Sequence, residues 1–358
     1  AAWPGLEDVM PSGIYPLAVA TCDTYDAAVS LRDAGRARLG DVLYGNNAQV
    51  LVSEATWVGL LQSIARGDQL ALHRLYVRMH GIVFTWIIPF VSDREAAKEL
   101  TLDVLHDVWR TASTYKGDSV IGWIMNHARS RAMELKTPPA PAIDTVLPPQ
   151  IDVMRPSTSL WLPLARRIGA ETGEEPLLPL PEGRVEPEWE EVAPGISCKL
   201  LATDRTRKRV SMLVRLAPGA AYPPHTHAGV EELYLLRGEL MIEDRTLHPG
   251  AYNRGEPGGS DQFVWTGTGC MCVLLTSTQD VLGEMPRGDP KVLQQFRAFM
   301  GSLRRQPYCL DCVSRIYEQP ANAVWTCLHQ NGIVGRYAEC GNCGKSRQTF
   351  QYVGASES

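Results

Sequence analysis

Two histidines and a glutamate crowd into one short run, Gly219-Ala-Ala-Tyr-Pro-Pro-His225-Thr-His227-Ala-Gly-Val-Glu231, closed by Gly238. His225 and His227 stand two apart, so on a strand both side chains leave by the same face. Glu231 can swing back to join them after a turn. Two imidazole nitrogens beside one hard oxygen suit a divalent transition ion such as zinc, iron, manganese or nickel. The flanking text agrees with strands. Residues 186–283 alternate between apolar runs and Gly or Pro turns (SCKLLAT, VSMLVRLAPG, EELYLLRGELMIED, CMCVLLTS), the composition of a small β-barrel.

The spacing G-x5-H-x-H-x3-E-x6-G resembles the first signature motif of the cupin superfamily at every position. Cupins take a further histidine from a second motif. Here the corresponding text, HPGAYNRGEPGGSDQFVW, places Asp261 there, while His248 sits upstream before a Pro-Gly turn. The resemblance implies a cupin β-barrel in which His225, His227, Glu231 and Asp261 hold zinc, iron or manganese. The added oxygen shifts preference away from zinc. The plainer alternative is an empty barrel whose histidines hydrogen-bond internally. Three phrases, PEWEEVAPGISCKLLATD, PPHTHAGVEELYLLRGEL and HPGAYNRGEPGGSDQ, are similar to the cupin half of zinc-containing anti-sigma factors that sense oxidative stress. In that group a separate zinc-bearing helical domain seizes the sigma factor. Its His-x3-Cys-x2-Cys is not seen here, and SLWLPLARRIGAE reads as a remnant or a linking helix. Cys198, Cys270 and Cys272 fall on strands, where small apolar packing explains them.

Residues 54–137 read as helical. Apolar residues recur at three and four, as in Trp57, Leu60, Leu61 and Ile64. Asp93 suits a helix cap, with Glu95 and Glu99 near the helix start. By spacing alone this is a three- or four-helix bundle with charged faces. Its wording, SDREAAKELTLDVLHDVWRTASTYKGD followed by GWIMNHARSRAMELK, resembles the second conserved region of an extracytoplasmic-function sigma factor. That likeness implies a helix facing the RNA polymerase clamp through Asp103, Asp107 and Trp109. It also implies a DNA-facing helix carrying Arg129, Arg131 and Lys136. The second helix stops at Lys136-Thr137-Pro138-Pro139, because proline ends helices. A Pro-rich linker, residues 138–185 with one short helix, stands where a helix-turn-helix would follow. Any DNA contact is expected to be weak and salt-sensitive.

Residues 288–358 hold Cys309-Leu-Asp-Cys312 and Cys340-Gly-Asn-Cys343. Two C-x2-C pairs predict a tetrahedral structural zinc that clips a segment too small for a core of its own. The text between the pairs resembles small zinc-stapled winged-helix modules, with Val324–His329 as the recognition helix. The nine cysteines and their pairing point to a reducing, cytoplasmic setting, and the net charge of −5 gives no general pull toward nucleic acid.

The resulting expectation is a multidomain α+β chain. It comprises an N-terminal segment of unassigned role (1–53), a sigma-like helical domain (54–137), a linker (138–185), a cupin barrel (186–283) and a zinc-clipped module (288–358). The function expected is transcription regulation of sigma/anti-sigma type, by binding RNA polymerase or another protein rather than by turnover. Two alternatives stand beside it: a metal-dependent, dioxygenase-like cupin enzyme, and a non-catalytic subunit of a larger assembly. No membrane span is expected.

Overall fold

The computed structural model describes residues 37–44, 53–91, 93–135, 152–179, 188–283, 289–303, 306–328 and 333–353. Lys136, His329, the first 36 residues and the Pro-rich stretch 136–151 lie outside these. Among the described residues no helix is long and apolar enough to cross a membrane.

Helices dominate the first half: α1 (Leu39–Tyr44), α2 (Glu54–Ile64), α3 (Gln69–Ile87), α4 (Arg94–Thr111), α5 (Val120–Glu134) and α6 (Trp161–Thr172). Their starts are written in the sequence. Ser53, Asp68, Asp93 and Ser119 each accept a hydrogen bond from a first-turn amide, which satisfies one of the donors a helix leaves open. The last of these helices, α6, ends at Gly173, whose φ of 75° is the left-handed stop glycine adopts freely.

Strands follow: β1 (Glu190–Ala193), β2 (Ile196–Asp204), β3 (Arg209–Leu216), β4 (Ala221–Tyr222), β5 (His225–Thr226), β6 (Glu231–Gly238), β7 (Leu240–Ile242), β8 (Arg245–Leu247), β9 (Tyr252–Gly255), β10 (Ser260–Asp261), β11 (Val264–Trp265), β12 (Cys270–Ser277) and β13 (Val281–Leu282). They form a sheet in the order β1-β2-β3-β12-β6-β9, a second in the order β4-β11-β7-β8 and a third in the order β10-β5-β13, with antiparallel pairings. The closed β-barrel expected from the sequence is corrected here, since the ladders stop short of joining into one ring. Proline and glycine explain the gaps. Pro218 precedes β4, Pro223-Pro224 separate β4 from β5 and Pro257 precedes β10, so each of these two-residue strands is flanked by a proline that withholds a ladder donor.

Alternation divides the six-stranded sheet cleanly. Met212, Val214, Leu235, Cys272 and Leu274 point inward and pack with Leu240, Ile242 and Val264 of the second sheet, joined by Leu39 and Leu43 of α1. Leu213, Tyr234, Leu236, Met271, Val273 and Leu275 point outward into one core with Trp57, Val83, Trp86 and Ile124. The helical segment therefore lies directly on the back of the sheet. Polar ties cross the seam. Trp57 Nε1 donates to the Leu201 carbonyl at 3.0 Å, Tyr234 Oη donates to Asn126 at 3.1 Å, and the Ser119 and Ser211 hydroxyls meet at 3.1 Å.

The C-terminal elements are α7 (Pro290–Ser302), β14 (Tyr308–Cys309), α8 (Leu310–Tyr317), α9 (Ala321–Leu328), β15 (Ile333–Glu339) and β16 (Ser346–Tyr352), with sheet order β14-β16-β15. Phe296, Leu310, Trp325 and Phe350 share a core with Ala221, Phe263 and Trp265 of the strand domain. The amide of Gln348 donates to the Gly267 carbonyl at 2.8 Å. Buried Arg347 spans Asp311 (2.7 Å) and Glu239 (3.6 Å).

Candidate metal centres

The pleat of β6 turns Glu231 inward, and β5 delivers His225 beside β10, where Asp261 pairs with it in register. One donor atom from each of His225, His227, Glu231 and Asp261 lies within 4.8 Å of the others. The two Nε2 atoms stand 3.3 Å apart. His225 reaches Glu231 at 3.7 Å, and His227 reaches both Glu231 and Asp261 at 3.7 Å. Four ligands placed about 2.1 Å from a tetrahedral ion stand about 3.4 Å from one another. The observed separations have that size, whereas 3.7 Å is too long for direct hydrogen bonds among the same groups. The donor set fits a divalent cation.

Local chemistry prepares the set. His225 Nδ1 donates to the Pro223 carbonyl at 3.1 Å, which leaves the Nε2 lone pair facing the cluster. His227 passes so close to Gly255 that a Cβ there would lie 2.4 Å from its ring, so only glycine fits. Burial opposes a charged ring at His225, yet the Glu231 carboxylate overrides it and its pKa lies above the ordinary value. At His227, Asp261 raises the pKa against burial. For Asp261 burial acts upward, and the two imidazoles outweigh it and hold the pKa down. This mutual pull is what a cation at the centre would relieve, since it takes neutral imidazoles and ionised carboxylates.

Further residues shape the site without having been read from sequence. Buried Asp280 accepts from the Ala228 amide at 2.7 Å and from the Thr276 hydroxyl, fixing the turn directly after His227. Nothing in its local spacing marks it. Tyr222 stands edge-on to His225, the ring centroids 5.1 Å apart. Tyr234 and Glu232 face the opposite side of the sheet, where Glu232 accepts from Tyr252 Oη at 2.8 Å. His248 is apart from the cluster, 3.5 Å from Glu239. Cys198, Cys270 and Cys272 are buried in the inner core. Burial pushes the first two thiols up to about 12 and the third well above its ordinary value, so they pack as neutral side chains.

A second cluster forms where β14 and α8 meet the β15–β16 hairpin. The sulfurs of Cys309, Cys312, Cys340 and Cys343 come within 4.8 Å, with Cys309 and Cys343 at 3.8 Å. Sulfurs about 2.3 Å from a tetrahedral zinc lie about 3.8 Å apart, so this set fits zinc. The Cys309 amide donates to Cys340 Sγ at 3.3 Å and Asn342 Nδ2 donates to Cys312 Sγ at 3.2 Å. At Cys340 burial acts upward, and the converging amides prevail, bringing the thiol to about 7.

The helical residues singled out by the sigma-like wording are engaged inside the chain. Arg131 clasps Asp107 through two bonds of 2.6 and 2.8 Å. Arg167 of α6 takes Asp103 at 2.7 Å and Glu99 at 2.6 Å, and His106 meets Glu171 at 3.0 Å. Arg129 lies over the Tyr252 ring at 4.4 Å, and half-buried Trp109 packs against the helical core. Arg167 had no sequence signal beyond its helix.

Comparison with known proteins places one part of the chain. Residues 185–280 match the family described as the ChrR cupin-like domain. An RmlC-like cupin protein from Ralstonia eutropha is 16% identical, over 25% of this chain and 63% of that one, with a TM-score of 0.24. An acetylacetone dioxygenase from Acinetobacter johnsonii is 17% identical, over 28% and 66% of the two chains, at 0.23. KdgF from Halomonas sp. is 23% identical, over 25% and 86%, at 0.22. The match thus spans less than two-thirds of the first two of these structures. No curated protein sequence matches the chain. Residues 185–280 are therefore a cupin-like domain of the ChrR type, set between a helical region and a four-cysteine module.

Proposed function

We propose that the chain is a regulatory binding protein of sigma/anti-sigma type in which a metal-holding cupin and a sigma-like helical segment are joined in one closed unit. The observation that carries this reading is the occupied acidic face of α4. Asp103 and Glu99 are taken by Arg167 of α6, and Asp107 by Arg131 of α5. Asp103, Asp107 and Arg131 are among the groups the sigma resemblance assigns to polymerase and to DNA, so the resting chain does not present these three freely. The ChrR-type cupin against the same helices supports a sensor role, with His225, His227, Glu231 and Asp261 holding zinc, iron or manganese. A bound ion there would cross-link β5, β6 and β10 and so stiffen the sheet on which the helices lie. Zinc in the cysteine module would hold the hairpin to α8. The element order helix, strand, two helices, hairpin supports a winged-helix reading of that module. Its α9 carries no Lys or Arg, which favours a protein partner over DNA.

The test is retention of an RNA polymerase clamp fragment by the full chain and by Arg167→Asp. The reading expects weak retention by the parent and at least tenfold more by the variant, which repels α6 from α4. Equal absence of retention, at low salt and with both proteins folded, would refute it. Oxygen uptake by the iron-loaded chain with a small diketone or thiol would instead favour the enzyme alternative.

A further inference from the structure

The turn between β2 and β3 runs against the composition of the chain. Arg205, Arg207, Lys208 and Arg209 fall close together in a protein whose net charge is −5. Hairpin turns with a positive φ ordinarily use glycine, asparagine or aspartate, yet Lys208 takes a φ of 57°. Neighbouring cations also repel one another, so neither turn geometry nor stability accounts for the run. The backbone is nonetheless fixed. The Lys208 carbonyl accepts from the Thr278 amide at 2.8 Å and from the Thr278 and Ser277 hydroxyls at 3.2 and 3.3 Å. The Arg207 amide donates to the Asp204 carboxylate at 2.9 Å. A residue outside its preferred backbone region persists only where the surroundings hold it, and these bonds do so.

Two further segments add to the same surface. Arg38, just ahead of α1, donates to Gln279, beside the residues that grip Lys208. Exposed Lys116 lies on the loop that leads into α5, where Asp118 stands 3.9 Å from Arg207. The side chains of Arg205, Arg207 and Lys208 are exposed, while Arg209 is turned to the Val230 carbonyl at 3.3 Å. Arg205 lies over the ring of Tyr44 at 5.8 Å, a contact that leaves its N–H donors open. Arg207 stands 3.8 Å from Asp204 and 3.9 Å from Asp118, too far for hydrogen bonds to either. Among the described residues neither Arg205 nor Lys208 meets a carboxylate within ion-pair distance. The carboxylates that are near serve the backbone: Asp204 takes the Arg207 amide and Asp41 takes the Arg38 amide at 3.1 Å. Positive charge therefore dominates this end of the sheet.

We propose that the β2–β3 turn is a docking surface for the phosphate backbone of nucleic acid. Duplex DNA carries one charge per roughly 1.7 Å of axis, so several cations of a single fixed turn find partners at once. Guanidinium forks meet phosphate oxygens in pairs, and a backbone already held in place loses little freedom on binding. The turn Asp204-Arg-Thr-Arg-Lys-Arg209 holds no apolar side chain to insert between lipids, which favours nucleic acid over a membrane surface. The surface is distinct from the one the sigma resemblance assigns to DNA. There Arg131 holds Asp107 and Arg129 lies on the Tyr252 ring. The contact is independent of the regulatory reading above and reads charge rather than base sequence.

Fluorescence anisotropy of a labelled short duplex, titrated with the full-length, metal-loaded protein over a range of potassium chloride, tests the surface. Expected is binding at low salt whose logarithm falls linearly with that of the salt concentration. The variant Arg205→Gln, Arg207→Gln, Lys208→Asn removes three charges, with asparagine chosen because it tolerates the left-handed backbone. At about 0.9 in slope per phosphate, its salt dependence should be shallower by about 2.7, and its affinity at low salt at least tenfold lower. The charge-keeping variant Arg205→Lys, Arg207→Lys should retain most of the binding, and Arg166→Gln, at an exposed position on α6, should match the parent. Absence of binding at low salt, or a triple variant with parental affinity and slope, overturns the surface. Loss of binding in Arg129→Gln with the triple variant unaffected would move the contact to α5 and overturn it equally. Phosphatidylserine vesicles or polyglutamate that bind more tightly than the duplex overturn the assignment to nucleic acid.

Discussion

Gly255 offers the sharpest probe of the cupin centre because it touches the site without donating to it. It pairs with Glu231 across β9 and β6, and its backbone is extended, so alanine meets no conformational penalty there. The difficulty is space. An added Cβ would lie 2.4 Å from His227 Cε1 and 2.5 Å from Nδ1, whereas ordinary contact begins at 3.4 Å. The ring must therefore retreat by about 1 Å, several times the roughly 0.2 Å tolerance of metal–ligand distances. His227 is enclosed, so the strain should cost about 1–3 kcal/mol, as overpacking does elsewhere. Gly255→Ala should bind manganese, iron or zinc at the cupin centre at least tenfold to a hundredfold more weakly, the range seen when groups that orient ligands are disturbed. Competition with a chromophoric chelator, read beside elemental analysis, separates this loss from the cysteine module, whose zinc should be retained. A folded Gly255→Ala protein with parental affinity at the cupin would show that His227 is no ligand.

Replacing Cys340 with serine should remove zinc from the C-terminal module and leave the cupin metal unchanged, with residues 306–353 becoming the preferred site of limited proteolysis. Cleavage and zinc content equal to the parent would contradict the four-thiolate site. The Asp107–Arg131 pair, with side chains 18% and 34% exposed, should show a coupling of about 1 kcal/mol in a double-mutant cycle read by urea unfolding. Buried Glu54, whose carboxylate accepts from the Val120 amide at 2.6 Å, has its pKa raised above the ordinary 4.5, with burial outweighing that amide. The folded state thus holds the extra proton in that window. Stability from this group is full below pH 4.5 and is lost as pH rises through the folded pKa. Glu54→Gln keeps an acceptor for Val120, and urea midpoints measured across pH should lose that part of the slope.

What could be read from the sequence depended on how local the governing physics is. His225, His227 and Glu231, and the paired cysteines, are recognisable because chemistry fixes residue types at short spacings, and the structure gathers each set. Asp261 lies much further along the chain, and only the family spacing pointed to it. The helix starts at Ser53, Asp68, Asp93 and Ser119 are equally local. Arg167 meeting Asp103, and Asp280 steadying the turn after His227, join residues 64 and 52 positions apart, and no short-range pattern encodes such pairs. The barrel expectation failed for a related reason. Two-residue strands flanked by proline have the composition of a barrel, but too few ladder donors to close one.

One non-local feature did leave a trace. A sheet with one wet face reads as strict alternation, whereas a sheet covered on both faces reads as an unbroken apolar run. CMCVLLTS is such a run, and every residue of β12 is buried. Its neighbour β3 carries SMLV in the same way. Even numbers, Cys270, Cys272 and Leu274, serve the inner core, while Met271, Val273 and Leu275 serve the helices. A free-standing cupin would expose that second set to water. Three or four large apolar side chains, each worth about 1.5–3 kcal/mol when covered, make separation of the helical segment from the sheet strongly unfavourable. The regulatory opening proposed above must therefore spare the seam between helices and sheet and be confined to the charged rim where Arg167 holds Asp103 and Glu99, since Trp161, Leu164 and Ile168 bury α6 in the same core.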